Sequence, residues 1–424
     1  VHQKFGSLPW NELIEDAIYY AENGFEITPF LADILLRYSE SLSLFAETKE
    51  IFQLHYPNFK NKTLVQKDLA NTLKIIASKG RKGFYEGEIA EKISSEIKKN
   101  NGLISKSDLK NYSPVWREPL ISNYRDTEII TMGPPSSGGL HVIQMLNILE
   151  NYDLKKFGHN SLEYINLLTE VMKFAYADRS KYLGDPDFYD VPIKKIISKK
   201  YANDINKNIQ IGKLTPVNEI NPGKYMDGES HETTHFSVVD KTGNVISMTY
   251  TLNSTFGSKV VIEGTGILMN NEMDDFSAAP GIPNQFNLLG AEANEIAPFK
   301  RPLSSMTPTI VLKDKELFFT TGSPGGARII SAVLQSIVNI IDFDMNLEDT
   351  TAAKRIHHQW YPDILEYEFT LDNTIEKNLK KMGYKTESKL PLTCLQTIMF
   401  SDGMYYGYGD FRRVDALASG NIND

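Results

Sequence analysis

The sequence predicts a mixed α+β fold. Apolar residues recur at helical spacing through the first half of the chain, and β-branched residues crowd much of the second half. The bulk composition, 41% hydrophobic and 23% charged over 424 residues, is that of an ordinary globular chain. A chain of this length can bury a large core without disulfides or metals.

Pro9-Trp10-Asn11-Glu12-Leu13 opens the first helix, with Leu13, Ala17, Ile18 and Ala21 expected on one face and Gly24 as the stop. The helical period returns over 69–77 and 89–97. Residues 124–132 read as β, and Gly133 to Gly139 then turn the chain into a helix over about 140–151. A long amphipathic helix is expected over 161–182. From 209 to 232 the apolar period lapses, and Gly212, Pro216, Pro222, Gly223 and Gly228 mark a long exposed loop. Loops of that length in a compact protein are often functional. Strands are expected within 235–252, 260–269 and 309–320, then a helix over 328–342. With no internal repeat and no evident linker, residues 1–424 read as a single domain.

A net charge of −9 argues against nucleic acid as a partner. The one cysteine, Cys394, can form no internal disulfide. No apolar run reaches the roughly 18 residues of a membrane span, since the longest, 329–343, is broken by Gln335 and Asn339. The opening at Val1, straight into a helical pattern, reads as a cut edge with an upstream segment expected before it.

The stretch His231-Glu232-Thr233-Thr234-His235 fits the zinc-peptidase pattern H-E-x-x-H. That pattern works only on a helix, and Thr233, Thr234, Val238 and Val239 favour strand. On a strand the two histidines lie about 13 Å apart, too far to share one ion. No metal is expected, and His235, His357 and His358 read as structural. Asp240-Lys241-Thr242-Gly243-Asn244 is turn chemistry between two β-rich runs. Pairing Val239 with Val245 places Thr233 opposite Thr251, at the end of a polar face carrying His235, Ser237, Ser247 and Thr249. The opposite face carries Phe236, Val238, Ile246, Met248 and Tyr250. The pattern fits an ordinary hairpin. It also fits a nucleophile: if the chain is cut at Glu232–Thr233, the freed α-amine, with an ordinary pKa near 8, can take the proton of its own hydroxyl.

Residues 233–244 resemble the processing segment of the gamma-glutamyltranspeptidases. The resemblance continues through Thr251-Leu252-Asn253, Asn270 to Phe276, Arg301 to Thr309, and Gly322 to Arg328. Pro134 to Gly139 and Tyr176-Ala177-Asp178-Arg179-Ser180 also match. The family implies a four-layer αββα sandwich of the N-terminal-nucleophile hydrolase type. It is made as a precursor and cleaves itself, here into 1–232 and 233–424, which remain together as a heterodimer. The implied substrates are glutathione and related γ-glutamyl compounds, with amino acids or dipeptides as acceptors and no cofactor. Thr233 is the implied nucleophile and Thr251 its hydroxyl partner. Gly325 and Gly326 would stabilise the oxyanion, Asn253, Glu272 and Asp275 hold the α-ammonium, and Ser304 and Ser305 hold the α-carboxylate. Export to the periplasm or medium is implied as well. The alternative within the fold is a β-lactam side-chain acylase or a poly-γ-glutamate capsule enzyme.

Two departures stand out. The family's carboxylate-binding arginine near its N-terminus has no counterpart by motif. The lid aromatic, often tyrosine, is Phe286, which offers no hydroxyl to latch the lid.

Overall fold

The computed structural model describes residues 1–220, 233–277, 290–391 and 393–420. These fall into two compact units, one of residues 1–116 with 256–271, the other of 117–255 with the chain after 272.

The first unit is mainly helical. Its first helix, Trp10–Asn23, ends at Gly24, whose φ of 83° suits glycine. The buried side is Ile14 and Ala21 with Ile18 half-buried, while Leu13 and Ala17 are exposed, which corrects the expected face by about one residue. The reason is tertiary: the helix packs on Lys67–Lys79, and Trp10 donates its indole N–H to the Ile76 carbonyl at 3.1 Å. Gly87–Lys99 buries Ile89 and Ile93 against Ile262.

The second unit is layered. The expected strand over 124–132 is two strands, β1 (Leu120–Tyr124) and β2 (Thr127–Thr131), joined by a turn in which Arg125 has a φ of 53°. Helix α1 (Gly138–Leu149) follows, buried along its whole length, then α2 (Leu162–Tyr182). Ser161 caps α2 by accepting the Tyr164 N–H at 3.1 Å. Every residue from Tyr164 to Lys173 is buried, so α2 is a central helix and not the expected amphipathic one. Residues 209–220 form a loop as expected, largely exposed, but Ile209, Val217 and Ile220 are buried. Glu170 and Asn166 of α2 accept the backbone N–H groups of Thr215 and Gly212, at 3.0 and 2.7 Å. The rest of that loop lies outside the described residues.

Strands β3 (Thr234–Val239) and β4 (Val245–Tyr250) form the hairpin in the expected register, Val239 opposite Val245 and Thr234 opposite Tyr250. After it come β5 (Thr309–Lys313), β6 (Glu316–Gly322), α3 (Arg328–Ile341), β7 (Gln396–Ser401) and β8 (Met404–Gly409). Six strands make one antiparallel sheet in the order β8-β7-β6-β5-β2-β1. Across its centre Ile129, Val311, Phe319 and Met399 lie in one row, in the core formed with α1, α2 and α3. Two residues along the same face, Thr131, Thr309, Thr321 and Thr397 make a second row. Their hydroxyls pair at 3.0 and 2.8 Å across the strands.

The hairpin packs on the sheet with its polar face inward. Ser247 donates to the Thr321 carbonyl at 3.3 Å. Gly322 leaves room for the His235 ring, since a Cβ there would lie 2.1 Å from it. The apolar face, Phe236, Val238, Ile246, Met248 and Tyr250, is exposed. Helices, sheet and hairpin thus stack as three successive layers among the described residues.

Candidate active site

Thr233 stands immediately before β3 and is buried. Its hydroxyl donates to that of Thr251 at 3.4 Å, across the hairpin register derived above. Thr251 Oγ1 also accepts the backbone N–H of Asn253 at 2.7 Å. Asn253 takes a φ of 72°, a left-handed conformation that asparagine tolerates better than most residues.

Thr233, Thr251 and Asn253 line one cavity with Arg179, Asp275, Ser304, Ser305 and Gly326. Gly325 and Gly326, with φ of 136° and 55°, make the turn into α3. Residues other than glycine rarely adopt such angles, and the turn brings backbone to the positive end of a helix dipole. The Tyr176 hydroxyl donates to the carbonyl of Ala327, directly after that pair.

The serines are held from behind. Ser304 Oγ accepts the Met306 N–H at 3.1 Å, and Ser304 N–H donates to the Pro135 carbonyl at 3.0 Å. Ser137 donates its hydroxyl to the Ser304 carbonyl at 2.8 Å. Both serine hydroxyls of the pair accept from N–H donors, so each has its own proton left to give.

Glu272 and Asp275 share a short 3₁₀ turn, Glu272–Asp275, and their carboxyls hydrogen-bond each other. Burial raises the pKa of both, and the charge on Glu272 raises Asp275 further. Arg179 pulls Asp275 the other way. Glu272 does not line the cavity itself.

The residue that sequence reasoning missed as a site residue is Arg179. It is buried in the last turn of α2, with Nε donating to Ser137 Oγ at 2.9 Å and Nη2 to Ser305 Oγ at 3.0 Å. Its signal was its place in the motif Tyr176-Ala177-Asp178-Arg179-Ser180, which matches the family. Glu232 and Phe286, the expected cleavage and lid residues, lie outside the described residues.

The three histidines have separate hydrogen-bond partners. His235 Nδ1 lies 2.7 Å from Thr249 Oγ1, and burial lowers its pKa to about 4. His357 meets Ser331 at 2.9 Å, and His358 meets Asp363 at 3.2 Å. Among the described residues, no three side chains of the metal-ligating types converge. No helix among them is long and apolar enough to cross a membrane.

The hairpin packed on an antiparallel sheet, with helices behind, is a mixed α+β arrangement of the N-terminal-nucleophile hydrolase class. A solved cephalosporin acylase from Bacillus halodurans has this fold. It superposes with a TM-score of 0.84 at 26% identity, over 97% of this chain and 74% of its own. A profile of the gamma-glutamyltranspeptidase family matches residues 1–420. A glutathione hydrolase proenzyme of Escherichia coli is 48% identical over 98% of this chain and 72% of its own length. Another, from Pseudomonas sp., is 39% identical over 99% and 75%. The chain belongs to the gamma-glutamyltranspeptidase family.

Proposed function

We propose that this chain is a self-processing γ-glutamyltransferase and glutathione hydrolase with Thr233 as its nucleophile. One observation carries the reading: the Thr233 and Thr251 hydroxyls face each other in a cavity that also holds Asp275, Asn253 and the serine pair. A carboxylate and a hydroxyl pair lining one cavity suit the ammonium and carboxylate of a free amino-acid end.

In processing, Thr233 Oγ attacks the Glu232 carbonyl carbon and the C–N bond to Thr233 breaks. Water then hydrolyses the resulting ester. The products are the Glu232 carboxylate and the Thr233 α-amine, and the chain becomes segments 1–232 and 233–424 of one catalytic unit, held as a heterodimer. In turnover, that amine accepts the hydroxyl proton as Oγ attacks the γ-carbonyl. The N–H groups of Gly325 and Gly326 stabilise the oxyanion. The amide C–N bond breaks and the departing amine, such as cysteinylglycine, takes up the proton. Water or an acceptor amine then attacks the γ-glutamyl ester and restores Thr233. Two of the relatives carry the name proenzyme, which supports the processing step. An exported location would suit the family.

Intact-mass measurement under denaturing conditions tests the first part: two species split at Glu232–Thr233 are expected, and a fully active single chain overturns it. The likeness to a cephalosporin acylase keeps a second substrate class in view. Faster turnover of a glutaryl anilide than of a γ-glutamyl anilide would favour that class.

A further inference from the structure

We propose that Arg179 is the positioning residue of the α-carboxylate subsite, holding Ser305 with its hydroxyl proton turned to the cavity and setting a positive charge behind it. This rests on the assignment of Ser304 and Ser305 to the substrate carboxylate.

Three features of the structure point this way. Arg179 Nη2 donates into Ser305 Oγ at 3.0 Å, so that hydroxyl accepts from a cation and becomes the stronger donor toward an anion. The guanidinium also ties Ser137, whose hydroxyl holds the Ser304 carbonyl, so one side chain supports both serines. The third feature is charge. Arg179 is 4% exposed, and burial lowers its pKa to about 10, which leaves it ionised at neutral pH. A buried cation is costly unless an anion offsets it. Its hydrogen bonds go to two neutral hydroxyls, and its acidic neighbour Asp275 shares a hydrogen bond with Glu272. A bound amino-acid end would complete both halves, its ammonium meeting Asp275 and its carboxylate meeting the serines before Arg179. The last turn of α2 adds its dipole in the sense that favours a cation.

The test compares three anilides. γ-Glutamyl anilide carries both charges, glutaryl anilide only the carboxylate, and 4-aminobutyryl anilide only the ammonium. Arg179→Gln should raise KM for the first two by about 10- to 100-fold, the scale of a charge-assisted hydrogen bond. KM for the third should stay within about threefold, and kcat should change little for any. Arg179→Lys should recover much of the loss. Ser305→Ala in the Arg179→Lys background should lose less than in the parent, because the arginine works through that hydroxyl. The pH profile adds a readout that a purely structural role would leave alone. Asp275 is faced by Glu272, Asp274 and Arg179, so removing the cation should move the acid limb of kcat/KM to higher pH.

Equal KM changes for all three anilides, or a lowered Tm with KM intact, would overturn the proposal. If Arg179→Gln does not mature, the Lys and Ser305→Ala arms decide it, additive effects counting against. A parent enzyme that turns over none of these compounds would instead refute the γ-glutamyl reading itself.

Discussion

The two ends of the cavity are built to different tolerances. At the nucleophile end a 3.4 Å hydroxyl contact joins Thr233 to Thr251, longer than the roughly 2.5–3.0 Å usual between hydroxyls. At the recognition end, Arg179, Ser137, Ser304, Ser305 and Met306 are joined by bonds of 2.8–3.1 Å. The recognition end is preorganised by neighbours far apart in the chain. The nucleophile end hangs on one hairpin, and its pairing can tighten once substrate arrives. Recognition variants should therefore act on KM, and nucleophile variants on kcat.

The largest effect is expected from Thr233→Ala, which should leave one intact chain by mass spectrometry and no γ-glutamyl turnover. A variant that still splits removes the nucleophile end as described. Thr251→Val should slow kcat by about a hundredfold or more, with KM nearly unchanged in steady-state assays. Asp275→Asn should reverse that split, raising KM for γ-glutamyl anilide by about 10- to 100-fold. Matching kcat and KM effects in both variants would erase the distinction between the ends.

Smaller effects concern pH. Burial raises the Glu272 and Asp275 pKa values, and binding an ammonium needs them ionised. The acid limb of kcat/KM should thus lie above the ordinary carboxylate range near pH 4. A limb at or below that range breaks the charge assignment. Stability should respond through two buried histidines. His235 is in the hairpin and His141 in α1, and burial lowers their pKa to about 4 and about 3. Their folded values lie below the unfolded value of about 6.5, so their contribution is present above that pH and lost as pH falls toward the folded values. Tm should fall on acidification from neutral pH, less steeply in His235→Asn. The carboxyl pair acts in the opposite sense, since its raised values favour the protonated folded form.

Much of this was legible in the chain itself. The hairpin register follows from the turn at Asp240–Asn244 and the alternation around it, and places Thr233 against Thr251. The helices Lys67–Lys79, Gly87–Lys99 and Arg328–Ile341 followed from apolar spacing, because local backbone sterics set that period. The errors came where burial depended on distant partners. The Trp10–Asn23 face rotated to meet another helix, and α2 became central because neighbours enclose it on all sides. Residues 209–220 are a loop, as expected, but a buried carboxylate and amide on α2 anchor its backbone, which the local pattern could not show.

Sequence alone determined the family, the nucleophile candidate, its partner across the strand and the helical periods, all of which depend on neighbours a few residues apart or on contiguous motifs. Tertiary structure decided that the hairpin turns its polar face inward, that the acidic pair is pushed toward its protonated form, and that Arg179 reaches serines 42 and 126 residues away. Those outcomes depend on desolvation and on charges meeting in one enclosed space, and no local pattern along the chain encodes which distant groups will meet there.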